Sequence, residues 1–145
     1  MIIANFQNNL YYGSKMEFME NIEIPNIAQT VKKYIDGVCE LNFELVKQSW
    51  IKDGHRWKID SETNLPYKML SPSHIDVIKT VPTTKIGSQT VQIQSIDYSG
   101  NAAMAKIKWK ISFPDWNGIE INYLLLLKGK DGWKIVSKNV YLEKS

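Results

Sequence analysis

The chain is poor in several things at once. It has one cysteine in 145 residues, Cys39, which excludes an internal disulfide and a cysteine-cluster metal site. Cys39 falls in an apolar helical pattern and reads as a buried, inert thiol. Arginine is as scarce: Arg56 stands alone among eighteen basic residues, and the net charge is only +3. Bidentate recognition of bases and phosphates leans on arginine, and a nucleic-acid surface needs a dense basic stripe, so nucleic acid is excluded as a partner. The two histidines, His55 and His74, are far apart with no helical pairing, and no metal site is expected. No run approaches the ~20 apolar residues of a membrane span. The opening MIIANFQNNLYYGSKMEFMEN has neither a basic n-region nor a continuous apolar h-region. A cytoplasmic protein without membrane partners is therefore expected. There are no repeats, no low-complexity tract and no linker.

What is present is an ordinary globular balance, 43% hydrophobic and 23% charged, with five Trp and seven Tyr. Residues 1–21 read as an N-terminal extension and 22–145 as one domain. Ile27, Val31, Tyr34, Ile35 and Val38 recur at helical spacing, with Lys32, Lys33 and Asp36 opposite. Gly37 inside that helix costs about 1 kcal/mol against Ala, so the spacing predicts a close approach there. FELVKQSW after Asn42 is a second short helix, and Ser71-Pro72 opens a third that Pro82 stops. Everything beyond is strand. Val91 and Ile93 share one phase and Ile96 and Tyr98 the other, which predicts a bulge near Gln94 or Ser95. Ala105, Ile107, Trp109, Ile111 and Phe113 alternate with Lys106, Lys108 and Lys110. The lysines are either solvated or paired with Glu120 and its neighbours. Ile119, Ile121, Tyr123, Leu125 and Leu127 share the next strand's apolar face, and Trp133, Ile135 and Ser137 share a face of the last. The glycines of LLLLKGKDGWKIV do not make a phosphate cradle, because the turn feeds a strand rather than a helix N-terminus. The class is α+β: three helices and then a long antiparallel meander that they cover.

That order resembles the nuclear transport factor 2-like (SnoaL-like) superfamily, in which a curved sheet folds into a cone around a cavity. The matching residues are Tyr34-Ile-Asp-Gly37 with Trp50-Ile-Lys-Asp53, and Ser99-Gly-Asn-Ala-Ala103 before an alternating strand. Tyr123-Leu-Leu-Leu-Leu-Lys128 followed by Asp131-Gly-Trp-Lys-Ile-Val136, with Lys138, resembles the closing signature of the "putative lumazine-binding" branch. Ser137 stands where that branch usually has Asn, and Tyr141-Leu-Glu replaces its aromatic-plus-histidine ending. The resemblance implies a homodimer. It also implies a fold that hosts isomerases, cyclases, dehydratases and non-catalytic binding modules alike, so fold alone does not assign an activity.

Aromatic richness suits a pocket for a small hydrophobic or aromatic ligand, with Trp50, Trp57, Trp109, Trp133 and Ser137 as lining candidates. Each is equally a core residue by size alone. His55, in phase with Trp57 and Ile59, is the candidate general base, with Tyr34 and Tyr123 as hydroxyl partners. Asp36, Asp60, Asp97, Asp115 and Asp131 all fall on turns or polar faces, so no acid–base pair is recognisable. No cofactor is named by these residues. Two readings stand: a small-molecule-binding or accessory module, and an acid–base enzyme of the cyclase, isomerase or dehydratase type acting on a carbonyl substrate.

Overall fold

The computed structural model describes residues 2–4, 22–69, 88–114 and 116–144. The third helix expected over 71–82, and His74 with it, lie outside the described residues. Helix α1 spans Glu23–Cys39 and buries Ile24, Ile27, Val31, Tyr34 and Gly37, one face at 3.6-residue spacing. Gly37 is required by contact. A Cβ there would meet Val46 Cγ2 at 2.7 Å and the backbone of Asn42 at 2.9 Å, where α2 (Phe43–Ser49) crosses. Asn42 caps α2, its side chain accepting from the Leu45 N–H. Cys39, expected to be buried, is exposed at the end of α1.

Among the described residues, seven strands form one sheet: β1 (Ile2–Ala4), β2 (Trp50–Ile59), β3 (Pro66–Met69), β4 (Ser88–Ser99), β5 (Ala102–Phe113), β6 (Trp116–Gly129) and β7 (Gly132–Lys144). Their order is β1-β4-β5-β6-β7-β2-β3. The long meander β4 to β7 is antiparallel, as expected. The sheet as a whole is mixed, because β2 runs parallel to β7 with α1 and α2 preceding it on the sheet's inner face. Within residues 1–21, Ile2–Ala4 pair with Tyr98–Ile96 as an edge strand. β3 follows the turn at residues 61–65 and pairs back on β2.

Three register shifts bend the sheet, since a surplus residue kinks its strand and increases its twist. On β4, Ile93 faces Ile107 while Ser95 faces Lys106, which leaves Gln94 over, at the expected place. On β7, Ile135 faces Leu126 and Ser137 faces Leu125, so Val136 is surplus. On β2, the irregularity between Trp50 and His55 brings Gly54 against the Trp50 ring, where a Cβ would meet Cε3 at 2.5 Å. Tight turns at Gly100 and Gly132 take positive φ values of 57° and 90°, which glycine adopts without strain.

The core lies between the helices and the inner face: Ile96 of β4, Ala105, Ile107 and Trp109 of β5, Leu124 and Leu126 of β6, Trp133 and Ile135 of β7. Burial on β6 corrects the expected phase. Leu124 and Leu126 are the buried pair, whereas Tyr123, Leu125 and Leu127 are exposed on the outer face. Periodicity could not choose between two faces that are both apolar.

Candidate functional site

The surplus residue on β7 decides what points inward. Strict alternation from Trp133 and Ile135 would put Ser137 inside and Lys138 outside. With Val136 looped out, Lys138 faces Leu124 and Val140 faces Asn122, while Ser137 moves outward with Leu125. Lys138 is 5% exposed and Asn122 0%. Long polar side chains are rarely so buried unless a partner holds them.

The Lys138 ammonium donates to Tyr34 Oη at 2.9 Å. It also lies 5.7 Å from the Trp109 ring centroid, while its 5.5 Å to the Tyr34 centroid follows from the hydroxyl hydrogen bond, which holds it at the oxygen end of that ring. Tyr34 meets Trp50 and Trp109 edge-on, with centroids 5.6 and 6.0 Å away. The Trp109 indole N–H donates to Gln89 Oε1 at 2.9 Å. No carboxylate of the described residues pairs with Lys138. An ammonium has three donors, and Tyr34 takes one of them.

Asn122 completes the arrangement. It neighbours Lys138 diagonally on one sheet face, and both atoms of its carboxamide, like the Trp50 indole nitrogen, are buried without a hydrogen-bond partner. An orphaned buried polar group costs about 1–3 kcal/mol, so two on one side chain call for a reason. Glu120 lies two residues before Asn122, opposite Trp109 and Leu142 on the same inner face. It therefore does not face Lys106, Lys108 and Lys110, which point outward. Lys106 lies over the Tyr123 ring at 5.6 Å instead.

The candidates from the sequence thus fall on two sides of the sheet. Tyr34, Trp50 and Trp109 come together inside. Trp133 is inside but committed: its indole donates to Glu23 Oε2 at 2.6 Å, and Lys128 pairs with Glu23 Oε1 at 2.6 Å, tying α1 to the β6–β7 turn. That pairing, led by the hydrogen bond from Lys128, holds the Glu23 carboxyl below the usual carboxylate range.

His55 and Tyr123 do not join Tyr34. The parallel register puts His55 opposite Ser137, on the outer face with Leu125, and Tyr123 is 40% exposed there. Trp57 and Ser137 line an outer groove of about 550 Å³ with Ile59, Pro66 and Asn139. Lys138, Asn122 and Gln89 were missed. A polar residue in the phase of a buried strand was the signal available for Asn122. For Lys138 the signal was its place in the closing family signature, while its inward aim depends on the bulge. Among the described residues no group of His, Cys, Asp and Glu is placed to hold a metal.

A curved sheet wrapped on N-terminal helices with a polar cluster at its interior defines a nuclear transport factor 2-like protein. Residues 23–141 match the family described as "Putative lumazine-binding", and the chain belongs to that family. Solved structures agree on the fold. A nuclear transport factor 2-like protein of unknown function from Shewanella baltica OS155 is 19% identical, covers 92% of this chain and 100% of its own, and has a TM-score of 0.69. A "putative ketosteroid isomerase" from Shewanella frigidimarina NCIMB 400 is 18% identical over 80% of this chain and 94% of its own, TM-score 0.61. The CaMKII hub of S. rosetta is 12% identical over 82% and 95%, TM-score 0.64. No curated protein sequence matches the chain.

Proposed function

We propose that the protein binds a small molecule at the inner face of its cone, against Tyr34, Trp50 and Trp109, with Lys138 and Asn122 supplying the polar contacts. The observation that carries this reading is the Asn122 carboxamide, wholly buried with neither atom hydrogen-bonded, beside a buried ammonium. Aromatic walls with a few convergent polar groups are the usual composition of a ligand pocket. The family's description supports a small ligand as well. Native mass spectrometry of protein purified from cells tests it. A retained small molecule, lost on Asn122→Leu substitution, is the expected result, and a ligand-free protein indifferent to that substitution would sink it. The protein is expected to work in the cytoplasm, which cell fractionation checks.

The outer face supports a homodimer. Trp57, Tyr123, Leu125, Leu127 and Tyr141 are large apolar side chains left exposed there, more than scattered surface residues explain. The hub domain among the structural neighbours supports self-association of this fold. Sedimentation at micromolar concentration separates dimer from monomer.

A second reading, acid–base chemistry on a carbonyl substrate, is favoured by one observation, the Tyr34 hydroxyl held by an ammonium. The phenol would give a proton to a developing oxyanion and Lys138 would steady the charge. His55 and Tyr123 have no part in it from the outer face. Wash-in of solvent deuterium next to the carbonyl of a candidate ketone, abolished in Tyr34→Phe, tests it.

A further inference from the structure

The interior site also carries information about charge. We infer that its ligand is a small planar monocarboxylate, seated with its carboxylate on Lys138 and Tyr34 and its ring beside Trp109. The inference rests on reading the inner face as a ligand pocket.

Counting donors makes the case. Lys138 has two N–H groups left after Tyr34, among the described residues, and the Tyr34 hydroxyl, accepting from Lys138, keeps its own proton to give. Three donors converge, and the one free acceptor beside them is the neutral Asn122 carbonyl, which carries no counter-charge. A carboxylate offers about four lone-pair sites in one plane, which a carbonyl or hydroxyl does not. An ammonium at 5% exposure with no carboxylate partner among the described residues also leaves an anion as the strongest available compensation. The Trp109 ring near Nζ offsets part of its lost hydration but supplies no acceptor.

The surroundings limit the anion's charge and shape. Arg56 lies opposite Lys138 and Glu120 opposite Trp109 on the same face, a balance of one net positive charge that suits one negative charge and disfavours a phosphate dianion. Tyr34, Trp50 and Trp109 present ring faces and edges that a flat, unsaturated skeleton matches better than a branched one. Asn122, with two N–H donors and a carbonyl, would hold a further polar substituent on that skeleton.

Calorimetric titration of the whole protein with benzoate and with benzamide, its neutral isostere, reads the charge directly. Wild type is expected to prefer benzoate by about tenfold or more, the usual worth of a charge-assisted hydrogen bond. In Lys138→Met the preference is expected to vanish while the melting temperature does not fall. Tyr34→Phe, which keeps the ring, is expected to weaken benzoate several-fold more than benzamide, because a hydrogen bond to a charged acceptor is the stronger one, and it carries the test if Lys138→Met does not fold. Equal affinity for benzoate and benzamide would overturn the carboxylate while leaving the pocket standing. Displacement of benzoate by millimolar inorganic phosphate would also overturn it. If neither probe binds, the inference and the pocket fall together.

Discussion

The two faces of this sheet each carry something that the other ordinarily would. The inner face, closed by α1 and α2, holds a lysine and an asparagine at 5% and 0% exposure among its apolar residues. The outer face leaves Leu125 45% and Leu127 50% exposed beside its lysines. A buried polar group with incomplete hydrogen bonds lowers the stability of the fold, whereas an apolar side chain left outside is exposed in the unfolded chain too and costs the fold little.

The sharpest way to break this contrast is to remove one tyrosine from each face. Tyr34→Ala is expected to cost about 3–5 kcal/mol, as large core truncations do, and Tyr123→Ala no more than about 0.5 kcal/mol in a monomer. Urea unfolding at low protein concentration compares them, and equal costs would erase the distinction between the faces. Lys138→Met comes next, with a gain of about 1–4 kcal/mol, because an apolar side chain of similar length replaces a charge lacking a counter-ion. A loss of that size would make Lys138 a structural residue and leave the interior without a functional reason for its charge.

Leu125→Asp tests the outer face. It is expected to weaken self-association by tenfold or more in sedimentation while shifting the monomer's stability by about 0.5 kcal/mol or less. A dimer unaffected by that charge would place its contact elsewhere. The smallest effect concerns Glu23. Its folded carboxyl lies below the ordinary value of 4.5, so its stabilisation is present above that value and is lost as pH falls through the folded one. Glu23→Gln should therefore flatten the acid side of the stability curve by less than about 1 kcal/mol, read from melting temperatures between neutral and acid pH.

How much of this was legible in the sequence differs by element. The helical stripe of α1, the Gly37 approach, the bulge on β4 and the β5 alternation all follow from spacing, because one face is apolar and the other is not. β6 broke that rule: Leu124 to Leu127 fill both faces, so the phase was set by packing against Ile107 and Ile135 rather than by pattern. Tyr34, Trp50 and Trp109 were readable as interior aromatics. The inward aim of Lys138 was not, even though it belongs to the closing family signature, since alternation puts it outside until the backbone around Val136 is known. The parallel pairing of β2 with β7, which carries His55 outward, joins segments some eighty residues apart and leaves no local trace.

The surplus residue on β7 has an evolutionary consequence. The side chain that meets Tyr34 is chosen by the length of the strand before it is chosen by its chemistry: a flush ladder would offer Ser137 and the bulged one offers Lys138. A lineage can thus change which side chain meets Tyr34 by gaining or absorbing a single codon, with no substitution at any interior position. An alignment scored column by column would record that event as a gap in a strand rather than as a change at the interior.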